Sequence, residues 1–508
     1  MKKNYLLNNQ NYLIVSAMPT PNGRLHLGHI SGPFLPMDVL KRRLNRDEGN
    51  AKLVSGSDVY ESHVLLKVQQ NNEDAETVCF KNHEFIQEDL KLMNLSYDIF
   101  INPLESAHRI PYKKFIQKEF KNLQESGILV ALEEILKVSK KYNDVISGCW
   151  IHGECPNCNQ PTGNYQCENC YSFYNPEDVK NIHSSREDDL ELDTVVAKNF
   201  FVKVDQEALL KLLKKSNLSD VQMDKIASFF KTHKGFMRVT SPESWGIPVL
   251  DKKVGNIPMM SFPYVSMLFY SIYCAGLIDT ENWFSKDSDA IIVNAHGMDN
   301  LVPTTVGMIG LSLELTAYKT FDYHIANYFL NLDGSKFSTS RNNAIWVDEI
   351  IENEAIESDY VRYYLTQKSP QFEEINITKK ELITTAKETQ QRFTNVVAWA
   401  ASKLSEQEQI YKVSETISNT FFNTLDEEQK ALSPATFKVA HSIKAIEKWY
   451  DLKENISSSD IRFWLSGFSI LLYPVLPTLS ENIWTTILKN EGKVSLAYFF
   501  NQLEKENN

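Results

Sequence analysis

The apolar, β-branched run NYLIVSAM (11–18) leads directly into PTPNGRLHLGH (19–29), and this junction constrains the fold more than any other stretch of the chain. A buried strand that passes through a Pro-Asn-Gly turn into a helix is the unit from which parallel α/β sheets are built. The strand candidates Tyr12–Ala17, Ala51–Ser55 and Ala290–Ala295 are each followed by Gly, Asn or Asp and then by a helical pattern, so an α/β core is expected. The start of a helix offers unpaired N–H groups and a positive dipole end, which suits an anion. Gly28 permits a close approach to the backbone there, and His26 and His29 share one face of the first turn, where both can donate to a phosphate. A histidine pair alone is usually ordinary surface or core; its coincidence with strand, glycine turn and helix start favours the phosphate. A second loop, LDGSKFSTSR (332–341), offers Lys336, four hydroxyls and Arg341 for folding over a polyphosphate.

The four cysteines of CPNC (155–158) and CENC (167–170) form two matched pairs. Two tight knuckles carrying four thiolates suit one tetrahedral ion, so Cys155, Cys158, Cys167 and Cys170 are assigned to structural zinc, with no open position for catalysis. Two unrelated turns with free thiols, or a redox dithiol, fit the matched spacing less well. Cys79, Cys149 and Cys274 fit no such pattern and are expected in the interior.

A chain of 508 residues with 43% hydrophobic content has room for two to four domains. The first residues, MKKNYLLNNQ, lack the apolar centre of a signal peptide, and GFSILLYPVLP is short and broken by Pro474 and Pro477. A cytoplasmic protein with no membrane partner is expected. The formal charge of −12 argues against a surface coated for nucleic acid. Local clusters at 40–43, 137–141 and 210–215 are read as solvated helix faces. The region from Leu123 to Asn256 reads as an insertion carrying the cysteines, and long helical patterns begin near Lys379 and suggest a bundle.

Taken together, HLGH and KFSTS resemble the HIGH and KMSKS signatures of class I aminoacyl-tRNA synthetases, and the order of further motifs is similar to the methionyl-tRNA synthetase branch. These are PTPNGRLHLGH, GSD (56–58), the knuckle, WGIPV (245–249), HGMDN (296–300), SDYVRYYL (358–365) and LPTLSENIW (476–484). The resemblance implies a Rossmann-like catalytic domain over 1–122 and 256–330, split by a connective insertion at 123–255 with its zinc knuckle at about 150–172. A loop and linking segment at 331–378 and an anticodon-binding-like helical bundle at 379–508 complete it. It implies an ATP-dependent ligase: a carboxylate attacks the α-phosphate of ATP, magnesium pyrophosphate leaves, and the aminoacyl adenylate gives its acyl group to a hydroxyl. His26, His29 and Lys336 are the implied catalytic residues, and Asn22, Gly28, Gly297, Asp299 and Lys336 the implied ATP contacts. Asp58 matches the position that holds the substrate ammonium.

The implied amino-acid pocket departs from the family pattern. Thr20, Ser261 and Thr304 stand where a Tyr, a Trp and a His are usual, with Met18 beside them. Small hydroxylic walls suit a methionine thioether poorly. The loop has Thr339 for its second lysine, partly offset by Ser335, Ser338 and Arg341. Ala398 and Ser402 replace the Asn and Arg that usually read an anticodon, whereas Trp449 falls where a base-stacking Trp is usual. Three functions follow: a conventional methionine–tRNA ligase, an enzyme that activates another amino acid for an RNA or small-molecule acceptor or partner enzyme, and a non-catalytic binding protein. The retained His26, His29, Asp58 and Lys336 count against the third, and the departures favour the second.

Overall fold

The computed structural model describes residues 5–279, 281–337, 343–404 and 413–505. Its centre is a five-stranded sheet of β1 (Asn11–Ser16), β2 (Asn50–Gly56), β3 (Ile99–Ile101), β4 (Ile291–Gly297) and β5 (Tyr323–Asn327), in the order β5-β4-β1-β2-β3. All four pairings are parallel, and each expected strand is found within two residues of its expected bounds. A parallel sheet is covered on both faces, which explains why β1 is apolar at consecutive positions rather than alternately. Tyr12 and Ile14 enter one core and Leu13 and Val15 the other.

The first core runs without a break into the C-terminal helices, including Lys379–Lys403, Glu415–Ala431, Ala440–Tyr450 and Ile461–Leu472. The second packs against the helices Arg109–Glu125 and Pro263–Ala275 and parts of the insertion. That insertion is built on a long antiparallel hairpin, Leu129–Ser139 with Leu192–Lys203, whose register runs from Leu129 opposite Val202 to Ser139 opposite Leu192. Between its strands a small sheet of Ile151–Glu154, Pro161–Gly163 and Lys180–Ser184 carries the cysteines. Cys79, Cys149 and Cys274 are buried, as expected.

Two of the basic clusters differ from expectation. The residues at 137–141 extend a strand rather than a helix. Those at 40–43 lie on the helix Leu35–Arg46, but Lys41, Arg42 and Arg43 are buried and paired with Asp98, Asp38 and Asp47. Their charge stabilises the interior instead of offering a surface to nucleic acid.

Following the chain, β1, β2 and β3 spread to one side, and β4 then returns to the other side of β1. This reversal opens a crevice at the carboxyl ends of β1 and β4, the place where open α/β sheets bind ligands. Gly56 ends β2 there for a packing reason: a Cβ would lie 1.6 Å from the Tyr270 hydroxyl, which donates to the Ile101 carbonyl.

Candidate active site

The helix start after β1 is held from two directions. Arg24 bridges to Asp89, whose other oxygen accepts from the Leu25 N–H at 2.8 Å, and the Leu27 N–H donates to the Ile345 carbonyl at 2.9 Å. His26 then caps the first turn. Its Nδ1 accepts from the His29 N–H at 3.2 Å, and the His29 Nδ1 accepts from the His26 N–H at 3.3 Å, a capping box made of two imidazoles. A ring nitrogen that accepts carries no proton, so both neutral rings are Nε2–H tautomers. The rings stack with centroids 3.7 Å apart. Burial first and the neighbouring His29 second hold the His26 imidazole well below its usual range, and burial takes His29 to about 4. At neutral pH the pair is therefore uncharged, each ring with an Nε2–H donor uninvolved in the cap.

Gly28 is required by the protein's own packing. A Cβ there would lie 3.0 Å from the His26 Nδ1 and 3.1 Å from the Phe337 ring. Phe337 brings the second loop onto this turn, but its neighbour Lys336 points elsewhere. The Lys336 ammonium donates to the Glu168 carbonyl at 2.8 Å and lies 4.0 Å from the Phe329 ring centre, so it is bound to the cysteine knuckle and makes no hydrogen bond to either histidine. Ser338, Thr339 and Arg341 lie outside the described residues.

At the crevice between β1 and β4 lies a cavity of about 700 Å³. Met18, Thr20, Asp58, Asp299 and Thr304 line it; Asn22, Gly28, Gly297, Ser261 and the two histidines do not. Ser261 is buried with its hydroxyl accepting from Ser266 at 2.7 Å. Tyr264, Met267 and Met308 complete the apolar wall, so one of the three expected ring losses is not a loss of an aromatic wall. The Tyr264 hydroxyl donates to Asn300 Oδ1 at 2.6 Å. Gly297 acts by absence, since a Cβ there would meet Asp299 Oδ1 at 2.3 Å.

Asp58 is buried with one carboxylate oxygen lacking any hydrogen-bond partner. Burial, and next the Glu61 carboxylate, hold its carboxyl well above the usual range, favouring the protonated form. Asp299 is raised to about 6 by burial and by Glu168. His296 also faces the cavity; burial lowers it to about 4, and its Nε2 has no partner. The sequence reading missed His296 and the pair Glu61–His63, although Glu61 and His63 follow Asp58 closely enough in DVYESH to have been found, whereas Tyr264 is legible there as a residue that fills the wall.

The knuckle is compact: Cys155 Sγ lies 3.7 Å from Cys170 Sγ, Cys158 Sγ lies 3.7 Å from Cys167 Sγ, and all four sulfurs fall within 4.8 Å of one another. Zinc–sulfur bonds of about 2.3 Å in a tetrahedron place sulfurs about 3.8 Å apart, close to the two 3.7 Å pairs, so the four side chains are gathered as a zinc site requires. Asn157 of one knuckle donates to Cys170, and Asn169 of the other donates to Cys158.

In the bundle, Ala398 and Ser402 are exposed on the helix Lys379–Lys403. Trp449 is fully buried, its Nε1–H donating to the Trp464 carbonyl at 2.9 Å, so it supports the bundle core and presents no face to a base. Among the described residues no helix is long and apolar enough to cross a membrane.

Comparison with known proteins gives a consistent family. The chain is 26% identical over 385 residues to a methionine–tRNA ligase of Cytophaga hutchinsonii, covering 73% of this chain and 55% of that protein. It is 27% identical over 394 residues to one of Bacteroides fragilis, covering 75% and 56%. The chain thus spans about half the length of the curated relatives it matches. The fold is shared with Mycobacterium tuberculosis methionyl-tRNA synthetase bound by methionyl-adenylate, at a TM-score of 0.66, 14% identity and 93% coverage of each chain. It is also shared with an Agrobacterium radiobacter LeuRS in a ternary complex with tRNA and LeuAMS, at a TM-score of 0.65, 11% identity and coverage of 97% and 87%. The family model described as tRNA synthetases class I (M) matches residues 12–400, and the chain belongs to that family.

Proposed function

We propose that this protein activates an amino acid with ATP to an aminoacyl adenylate, that the amino acid is not methionine, and that its acyl group passes to an RNA or small-molecule acceptor. The buried, half-unpartnered carboxylate of Asp58 in the crevice between β1 and β4 carries the reading: the α-ammonium of an amino acid supplies the missing partner. The substrate carboxylate then faces the α-phosphate, with the polyphosphate at the helix start, where the Nε2–H groups of His26 and His29 donate to it. Magnesium neutralises the phosphates when bound. Asp299 sits where the ribose of the nucleotide is expected, and Lys336 reaches the leaving pyrophosphate once it exchanges Glu168 for phosphate. The division into two catalytic halves, insertion, linking segment and bundle is retained with this reading.

The non-methionine substrate is supported by the hydroxyls of Thr20 and Thr304 on the cavity wall and by the three thioethers, Met18, Met267 and Met308, that already occupy its apolar side. The second reading, a methionine–tRNA ligase, is favoured by the names of the relatives. Amino-acid-dependent exchange of pyrophosphate into ATP, measured over the standard amino acids and N-hydroxylated analogues, decides between them. An amino acid other than methionine is expected to give the highest kcat/KM; methionine at the head of the panel overturns the altered-pocket reading, and no exchange with any member overturns activation itself.

The knuckle is proposed to hold structural zinc through its four cysteines. Purified protein is expected to contain about one zinc per chain, and its removal by chelation to lower the melting temperature. Metal analysis without zinc, or a melting temperature indifferent to chelation, contradicts this assignment.

A further inference from the structure

Next to Asp58 the cavity holds an ionisable pair that amino-acid activation does not use. The His63 Nδ1 lies 2.8 Å from Glu61 Oε2, and the His63 backbone N–H donates to the same oxygen at 2.6 Å. Ser62 Oγ donates to the other Glu61 oxygen at 3.2 Å. Because a carboxylate can only accept, the Nδ1 carries a proton, and in the neutral ring Nε2 is left as a free acceptor. Among the described residues nothing hydrogen-bonds to that Nε2, and both side chains line the cavity. This is the arrangement by which a carboxylate orients an imidazole to take a proton.

The surroundings define what can bring that proton. Asp58, Glu61, Glu168 and Asp299 line the cavity, and no lysine or arginine does so among the described residues. Lys336 stands at the edge, bonded to Glu168. His152 and His183, paired across the knuckle sheet with rings 5.8 Å apart, form the outer wall. With four acidic groups and no lysine or arginine on its described wall to pair with a phosphodiester, the cavity favours a neutral or cationic molecule.

We propose that His63, oriented by Glu61, is the general base for acyl transfer, and that the acceptor is a small neutral or cationic amine or alcohol rather than RNA. The inference rests on the adenylate-forming reading above. The lone pair of the acceptor's nitrogen or oxygen forms a bond to the carbonyl carbon of the adenylate. The carbon–oxygen bond to phosphate breaks, AMP leaves with that electron pair, and the proton of the acceptor passes to Nε2 of His63. The product is an amide or an ester, with no oxidant or reductant required. Glu61 is a positioning residue, since it reaches the acceptor only through the imidazole.

The test uses the full chain with whichever amino acid gives most pyrophosphate exchange, and compares two rates in each variant. Exchange reads adenylate formation; mass spectrometry reads acyl transfer to putrescine, to ethanolamine and, separately, to total tRNA. The ratio of transfer to exchange is internal to each preparation, so partial misfolding lowers both rates and cancels. In His63→Gln the ratio for the small amines is expected to fall roughly 10²-fold, the lower end of what a general base supplies. Added imidazole is expected to restore part of it in His63→Ala, and Glu61→Gln to lower it less. An unchanged ratio in His63→Gln, failure of both small amines to accept, or transfer to tRNA alone overturns the proposal. Absence of exchange with every amino acid removes the adenylate reading, and this proposal with it.

Discussion

Replacing Glu428 by alanine is expected to lower the free energy of unfolding by about 3–5 kcal/mol, the usual cost of removing one partner from a buried ion pair. The Arg46 side chain is fully buried, and both of its terminal nitrogens donate to the two Glu428 oxygens at 2.8 Å. Its Nε donates to Asp47 and one terminal nitrogen also reaches the Ile470 carbonyl. Burial pulls the guanidinium toward neutrality, and Asp47 and Glu428 outweigh that pull and hold it charged. Without Glu428 a cation remains in the core with only Asp47 to balance it. Arg46 closes the helix that follows His29, whereas Glu428 belongs to the C-terminal helix Glu415–Ala431, so the loss is also expected to loosen the bundle from the sheet. Urea unfolding of Glu428→Ala measures it. The double variant Arg46→Met with Glu428→Met is expected to recover part of the loss, because apolar groups of similar volume fill the space of that pair while Asp47, which loses Arg46, keeps Arg43 and Gln429 as partners. A loss below about 1 kcal/mol in the single variant contradicts the argument, as that is the range of exposed pairs.

The same pair shows what a sequence withholds. The cluster at 40–43 and Arg46 have the composition of a solvated face, and the local pairs Arg42–Asp38 and Arg43–Asp47 would suit one; the groups that complete the buried network lie far along the chain, Glu428 being 382 residues from Arg46 and Arg362 324 residues from Asp38. Local periodicity cannot reveal such pairs. What is encoded locally was legible: three of the five central strands, the strand–turn–helix junction, the cysteine knuckles and the long bundle helices all depend on residues a few positions apart. The site divides along the same line. Asp58, Thr20, Met18, Thr304 and Asp299 do converge on one cavity, because the carboxyl ends of β1, β2 and β4 meet there. Ser261 was misplaced because its strand ends just before the helix Pro263–Ala275, whose first turn, not the strand end, supplies the wall. Trp449 was misplaced because an indole on an amphipathic helix reads alike whether it faces a base or a core.

Replacing His26 by asparagine is expected to reduce adenylate formation by roughly 10²–10³-fold while leaving the fold intact, the range found when one preorganised donor to developing charge is removed. Asparagine is chosen because His26 has two roles that alanine would remove together. Its Nδ1 accepts from the His29 N–H and caps the helix, and an asparagine oxygen, among the best N-cap groups, stands near the same place. Its Nε2–H is the donor assigned to phosphate, and asparagine is too short to replace it. His29, whose Nδ1 accepts from the His26 backbone rather than from its side chain, keeps its tautomer in this variant. Thermal unfolding is therefore expected to change little while kcat/KM for pyrophosphate exchange falls. The pH dependence adds a second check. With the His29 imidazole at about 4 and His26 well below the usual range, both are neutral above pH 6 in the free protein, so neither gives a titration of kcat/KM between pH 6 and 8. An imidazolium mechanism would instead lose activity as pH rises through its pKa. Full exchange activity in His26→Asn shows that the imidazole serves only the helix cap, and a loss of activity on the alkaline side that disappears in the variant shows that it acts as a cation.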